Sequence, residues 1–385
     1  MDDAIVKKFV GYEEAKEAMR NASLYGTEYE TQKGSWRDAV NRLHPPKIDL
    51  KVSEIRKISN SATTIRFVGT DKPLPPFQAG QYIHISVDID GIHTGRPYSI
   101  SSAPSYTAYY EITVKRKNDA FVSDYLLDKL RVNDIVTATG PAGQFVYNPV
   151  YMGKNLVFIA GGSGITPFAS MVKEMTDHDL DINIHLIYGS RGPDDAPFHE
   201  EFEQIANRHP NFKYDLVVSD PKADWKGLTG FIDVALIKKL GIDTQNAMLF
   251  VCGPEEMYSF CIPELAKLGI LPRRIRQEVQ SVPADITADP AWPETISADD
   301  VFSIKLNDGN TVKAKANEPI LVAIERAGLT HRNCCRAGEC SLCRIKVVSG
   351  NVFQSSHSLV RESDSEAGYV HACVSYPLSD LEIIK

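Results

Sequence analysis

Hydrophobic and polar positions change rhythm three times along the chain. From Ile48 to about Pro149, the stretches KVSEIRKI (51–58), TTIRFVG (63–69), QYIHISVDI (81–89) and YYEITVKRK (109–117) alternate or are β-branched, and turns separate them. A period of two is the mark of half-buried strands, so this segment predicts an antiparallel β-barrel with one helix, VSDYLLDKL (122–130). From Asn155 a buried strand followed by an amphipathic helix recurs: NLVFIAGG and FASMVKEMTD, INIHLIYGS and FHEEFEQIANRH, KYDLVVSD and VALIKKLG, AMLFVCG and EMYSFCIPELAKLG. Strands joined by helices imply a doubly wound parallel sheet of α/β type. After residue 298 short strands (FSIKLND, GNTVKAK, RIKVVSGNV, DLEII) surround one helix, PILVAIERAG, which predicts a small α+β unit.

The segments between these units are also legible. EEAKEAMR and WRDAVNRL predict two short helices in an N-terminal extension, residues 1–46, and the HPP after Leu43 stops the second. Residues 280–298 are rich in Pro, Ala and Asp without apolar periodicity and read as a linker. The chain thus divides into a multidomain arrangement of 1–46, a barrel at 47–150, an α/β domain at 151–279, the linker, and an α+β unit at 299–385.

Composition narrows the function classes. The 385 residues are 43% apolar and 24% charged, ordinary for soluble folded chains. A net charge of −8 argues against nucleic-acid binding, which needs a basic face. The longest apolar runs, such as those in NLVFIA and AMLFVC, are about six residues, against roughly 20 for a membrane span. MDDAIVKKF has no cationic start before an apolar core, so no signal peptide is expected and the cytoplasm is the expected location.

The seven cysteines are odd in number and unevenly spaced, unlike a disulfide framework. Cys335, Cys340 and Cys343 form C-x4-C-x2-C, with Cys373 further on, which is the plant-type [2Fe–2S] spacing. Two irons bridged by two sulfides need four thiolates. A tight loop wraps one side of such a cluster only if its N–H groups turn toward sulfur; Arg336, Ala337, Gly338 and Glu339 offer those donors, and Gly338 permits the bend. A structural zinc site is the competing reading, but zinc sites pair C-x2-C units or add His, and no second C-x2-C exists. Cys334 competes for the first ligand; it would give x5, so Cys335 is preferred. His371, two residues before Cys373, reads as structural or as a modest tuner of the cluster.

CCRAGECSLCRIKVVSGNV and GYVHACVSYPLSDLEI resemble the C-terminal ferredoxin domain of oxygenase-type reductases. The unit holds eleven acidic and ten basic residues, a near-neutral balance that suits a tethered module rather than a shuttling carrier. Upstream, Arg96-Pro97-Tyr98-Ser99 resembles the RxYS motif of the ferredoxin–NADP reductase family, and Gly140–Phe145 its GPxGxF turn. The resemblance implies that Arg96 neutralises a flavin phosphate, Tyr98 stacks on or edges the isoalloxazine, and Ser99 bonds its reactive N5. It also places Val114 and Lys115 along the flavin. Val122 and Ser123 open a helix whose free N–H groups suit phosphate. Asp119-Ala120 stand where the family usually has Gly-Gly; FAD is favoured and FMN stays open.

Gly161-Gly162-Ser163-Gly164-Ile165-Thr166-Pro167 lies between a buried strand and a helix, where glycines let backbone N–H groups approach a pyrophosphate. It is neither G-x-G-x-x-G nor a nucleophile elbow, and it resembles the family's GGxGxTP, which puts Gly162, Gly164 and Thr166 at the nicotinamide nucleotide. Cys252-Gly253-Pro254 resembles the family's CGP, which implies Cys252 near nicotinamide C4 and flavin N5; the alternative for Cys252 is a buried small hydrophobe. Arg191 could meet a 2′-phosphate or stack on adenine, while Asp194 and Asp195 favour NADH over NADPH.

The resemblance covers nearly all of residues 47–385. It implies a reductase in which Ser99 and Cys252 serve hydride transfer from NADH to the flavin. Single electrons then pass through a cluster on Cys335, Cys340, Cys343 and Cys373 to a separate acceptor protein, such as an oxygenase, demethylase, hybrid-cluster protein or corrinoid enzyme. A redox-sensing interaction protein and a small-molecule flavin or quinone reductase are the alternatives.

Overall fold

A computed structural model of the chain describes residues 45–117, 120–278, 285–356 and 358–385, and seven isolated positions before residue 45. The two helices expected in residues 1–46 lie outside the described residues apart from those seven positions, which are helical. The chain up to Pro46 is a unit of its own, and Lys47–Lys385 form a second.

Within the second unit, β1 (Ile48–Lys57), β2 (Ala62–Gly69), β3 (Tyr82–Ile89), β4 (Ile92–Ser99), β5 (Tyr110–Lys115) and β6 (Ile135–Ala142) form an antiparallel sheet in the order β4-β3-β6-β1-β2-β5. A single bridge between Ile100 and Ile112 draws its two edges together. In β1, Ile48, Leu50 and Val52 are buried while Asp49, Lys51 and Ser53 are exposed, as the alternation dictates. Helix α1 (Phe121–Asp128) closes the barrel with Val122 and Leu126.

The α/β domain has six parallel strands in the order β10-β9-β8-β7-β11-β12, comprising β7 (Asn155–Gly161), β8 (Asn183–Ser190), β9 (Phe212–Val218), β10 (Leu228–Thr229), β11 (Met248–Cys252) and β12 (Ile275–Gln277). Its helices are α2 (Thr166–Asp177), α3 (His199–Arg208), α4 (Val234–Lys239) and α5 (Glu255–Ala266). β7 buries Phe158 and Ala160 in one core and Val157 and Ile159 in another. Burial on both faces explains why its sequence is a continuous apolar run. Strand order reverses between β7 and β11. A crevice opens there at the carboxyl ends of the strands, where doubly wound sheets bind ligands.

The last module is a mixed sheet, β14-β13-β19-β15-β17, beside a small β16-β18 pair. Its strands are β13 (Val301–Leu306), β14 (Thr311–Lys315), β15 (Arg344–Ser349), β16 (Val352–Gln354), β17 (Tyr369–His371), β18 (Ser375–Pro377) and β19 (Leu381–Ile384). Helix α6 (Ile320–Arg326) fills its core, and α7 (Glu362–Glu366) precedes β17. Positions 280–284 of the expected linker lie outside the described residues. From Asp285 onward the segment packs on this module: Ile286 is buried with Phe353 and Tyr376, and Trp292 meets Phe353 edge-on at 5.1 Å. Among the described residues no helix is long and apolar enough to cross a membrane.

Candidate active site

One cavity of about 1140 Å³ reaches all three modules of Lys47–Lys385. The barrel supplies Arg96, Pro97, Tyr98, Ser99 and Lys115 from β4 and β5, and Val122 and Ser123 from α1. The parallel sheet supplies Gly162, Thr166, Arg191, Gly253 and Pro254, and the cysteine loop supplies Cys335 and Glu339. Val114, Gly164 and Cys252 do not line it. Val114 belongs to the barrel core, because neighbours on a strand face opposite ways and Thr113 and Lys115 take the cavity side.

On the barrel side, Tyr98 Oη lies 3.1 Å from Ser123 Oγ, which ties β4 to the start of α1. Burial pushes the Tyr98 phenol up to about 12, so it is neutral at physiological pH. Arg96 donates to Gly95 O at 2.7 Å and Thr94 Oγ1 at 3.2 Å. Burial, then the nearby Arg336, pull its guanidinium down to about 10, which still leaves it charged. Lys115 pairs with Asp195 at 2.7 Å, and Ser61 also donates to that carboxylate. Asp194 pairs with Lys222 at 2.9 Å. Both acids near Arg191 therefore have basic partners, and Asp195 ties the barrel to the sheet.

On the sheet side, the glycine segment runs as a tight turn over Gly162–Ile165 and enters α2 at Thr166. Thr166 Oγ1 donates to Ser163 O at 2.8 Å, and Tyr188 Oη to Gly162 O at 2.9 Å. Gly164 sits so close to the end of β11 that a Cβ there would collide with the Cys252 carbonyl and the Gly253 nitrogen. Cys252 itself is wholly buried, and burial, then Glu278, push its thiol well above the ordinary range. Tyr258 Oη accepts from Gly253 N at 3.2 Å and donates to Glu278 O, which braces this strand end.

In the cysteine loop, Ala337 N, Glu339 N and Cys340 N each point at Cys335 Sγ from 3.4 Å. Two of the four expected donors are thus present, with Cys340 added. Arg336 at φ +55° and Gly338 at φ +79° make the bend. Cys343 Sγ lies 3.3 Å from Cys373 Sγ. Hydrogen bonds from the Cys340 and Cys373 thiols, and then from the loop amides, draw Cys335 well below the ordinary thiol range. Four converging sulfurs with amide donors form a donor set that fits a [2Fe–2S] cluster. Cys334 turns elsewhere, toward Thr139 Oγ1 at 3.9 Å and Tyr82, and burial pushes it up to about 11. His371 is fully buried, with Nδ1 2.8 Å from Gly338 O and Nε2 3.1 Å from Ser341 Oγ, so it braces the loop.

Several residues of the site escaped the sequence reading. Tyr82, the first residue of β3, is paired with Ser99 and Ala142. It lines the cavity and packs against Cys334, Cys335 and Ala337. Glu278 also lines the cavity, and burial, then Glu339, raises it to about 8. Glu339, expected only as an amide donor of the loop, lines the cavity with its side chain as well; partial burial of its carboxyl, then Cys335, raises it to about 7. Phe231 and Phe260 are exposed aromatics at its rim with ring centroids 5.8 Å apart. Only the aromatics left a local trace, as apolar residues beside glycine or on an otherwise polar helix face.

Residues 49–147 match the oxidoreductase FAD-binding domain, residues 158–262 the oxidoreductase NAD-binding domain, and residues 304–378 the 2Fe–2S iron–sulfur cluster binding domain. The glycine betaine monooxygenase reductase subunit of Chromohalobacter salexigens is 28% identical over 83% of this chain and 90% of its own length. The stachydrine N-demethylase reductase subunit of Rhizobium meliloti is 28% identical over 84% and 92%. NADH oxidoreductase HCR of Escherichia coli is 28% identical over 80% and 88%. Among solved structures, phthalate dioxygenase reductase shares the fold across 88% of this chain and 97% of its own, with a TM-score of 0.65 and 21% identity.

Proposed function

We propose a role for this chain from the premise that it belongs to the ferredoxin–NADP reductase superfamily, as an oxygenase-type NAD(P)H oxidoreductase with a plant-type [2Fe–2S] domain. It is an electron-transfer reductase that takes hydride from NADH and delivers single electrons to a separate acceptor protein. When bound, the flavin supplies the change from two-electron to one-electron chemistry, and the cluster carries one electron at a time. The observation that carries this reading is that Ser99, the Gly162 turn and Cys335 line one cavity.

The chain's residues divide the work. Arg96 and the start of α1 hold the flavin phosphates, and Tyr98 braces the ring plane through Ser123. Ser99 offers its hydroxyl to flavin N5. The turn over Gly162–Ile165 and Gly253-Pro254 hold the dinucleotide. Cys252 acts as a positioning residue from behind this strand end, since it does not face the cavity. FAD is the flavin, as the domain match supports. NADH is preferred, which the Escherichia coli relative's name supports. The Chromohalobacter and Rhizobium relatives are named as reductase subunits of a monooxygenase and an N-demethylase, which favours an oxygenase-class acceptor.

The test is an anaerobic titration of the purified protein with NADH and, separately, NADPH, followed by visible absorbance and electron paramagnetic resonance. NADH is expected to bleach the flavin and raise a reduced [2Fe–2S] signal, with NADPH less effective. A flavin that is bound yet reduced by neither nucleotide would overturn the reading and favour the redox-sensing alternative.

A further inference from the structure

The cluster loop is joined to the barrel by buried polar contacts that neither the hydride site nor the cysteine ligands require. Glu325 lies in the last turn of α6, where a carboxylate opposes the helix dipole. Its side chain is only 6% exposed. Such an acid is costly unless its charge is fully answered. Arg336, itself 9% exposed and directly after Cys335, meets it as a fork at 2.6 and 2.9 Å. Asn333 Nδ2 adds a longer bond to Oε1 at 3.5 Å from within the same module, and a further contact crosses to the barrel: Thr94 Oγ1 donates to Glu325 Oε2 at 2.9 Å. Thr94 is buried and also accepts from Arg96 at 3.2 Å. A continuous hydrogen-bonded chain, buried at Thr94 and Glu325 and half-buried at its two arginines, therefore runs Arg96–Thr94–Glu325–Arg336, from the cavity wall to the residue beside the first cluster cysteine. Next to it, His84 Nδ1 on β3 lies 2.8 Å from Cys334 O.

We infer that Thr94 and Glu325 form a latch between the barrel and the cluster loop, holding Cys335 against the cavity wall at Tyr82 and so setting the flavin-to-cluster electron step. The Glu325–Arg336 pair lies within the cluster module, whereas the Thr94 contact joins two modules. Thr94 is thus a positioning residue: it is hydrogen-bonded to none of the four cysteine ligands and does not line the cavity. Release of its bond frees the loop from β4 without removing a cluster ligand. It also bares Cys334, which the docked state keeps buried between Tyr82 and Thr139.

The inference rests on the proposed reductase activity, and its test separates the two. Thr94→Val keeps the shape and removes the donor. In single-turnover stopped flow of the holoprotein with NADH, flavin bleaching is expected at the wild-type rate. Cluster bleaching, as the cluster takes one of the two electrons delivered by hydride, is expected to slow about tenfold, on the scale of one lost hydrogen bond to a charged group. Alkylation of Cys334 by N-ethylmaleimide, followed by mass spectrometry, should speed up by a similar factor. Thr94→Ser should restore both. Wild-type cluster bleaching in Thr94→Val would overturn the latch, as would slowed bleaching with Cys334 still protected, or equal slowing of both phases. If wild-type flavin is not reduced at all, the reductase reading fails, while Cys334 alkylation still reports on the latch.

Discussion

The glycine turn after β7 closes on the end of β11 through backbone alone, whereas the cluster loop meets the barrel through buried charge. At the first junction, Gly164 lies against the Cys252 carbonyl, and what matters is that no side chain intrudes. At the second, one carboxylate answers Arg336, and hydrogen bonds join it to Arg96 through Thr94. Backbone packing of the first kind is insensitive to pH and salt. A buried network of the second kind depends on every member, because each unpaired group left behind costs its own desolvation. The contrast suits the proposed electron path, in which the nucleotide site admits a mobile ligand and the cluster side fixes one distance.

The sharpest break in this comparison is at the cysteine pair. Cys335→Ser removes the sulfur on which three amides converge, and cluster absorbance and bound iron are expected to vanish. Bleaching of the flavin by NADH should persist. Cys334→Ser changes only the sulfur turned toward Thr139 and should keep the cluster. A cluster retained in Cys335→Ser and lost in Cys334→Ser would exchange their roles.

His84 tests the charged junction by pH. Burial, then the neighbouring Arg336, pull its imidazole down to about 4 from an ordinary 6.5. The folded protein therefore resists protonation that the unfolded chain accepts below about pH 6.5. The unfolded state binds more protons across that window, so the contribution is intact above pH 6.5 and is lost as pH falls toward 4. The shift corresponds to about 3 kcal/mol at full extent. His84→Asn keeps a donor near Cys334 O and removes the titration. Its melting temperature should fall less than that of the wild type between pH 6.5 and 4.5. Parallel curves for the two proteins would show that His84 has no part in the acid sensitivity.

These two junctions also show what a sequence can disclose. The glycine turn was legible because a local motif encodes it: Gly161–Pro167 falls between a strand and a helix, and both formed where the apolar pattern placed them. The cysteine loop was legible for the same reason, since C-x4-C-x2-C is a local spacing that matches the 2Fe–2S domain at residues 304–378. Strands β10 and β12 were not, since edge strands of two or three residues leave no periodicity. Tyr82, Glu278 and Glu325 were missed for a deeper reason. Each gains its role from a residue far along the chain, as Thr94 does from Glu325 across 231 positions. A buried acid and a surface acid read alike until the fold is known. Val114, Gly164 and Cys252 show the reverse: the motif marks them, but they support the cavity from behind.

The smallest effects divide the glycine turn itself. Gly164→Ala forces a methyl group into the Cys252 carbonyl, and overpacking of this kind costs about 1–3 kcal/mol. It should appear as a lowered melting temperature together with a raised KM for NADH, because Gly253 and Pro254 must move to make room. Gly162 has φ +52° and open space where a Cβ would stand. Gly162→Ala therefore bears only backbone strain of about 1 kcal/mol. Gly162 lines the cavity, so its new methyl group projects toward the nucleotide rather than into the core. The KM for NADH should rise with little change in melting, measured by steady-state reduction of an artificial acceptor alongside calorimetry. If Gly164→Ala melts as the wild type does, the close approach of the two strand ends does not hold this junction. If Gly162→Ala leaves KM unchanged, the turn does not touch the dinucleotide.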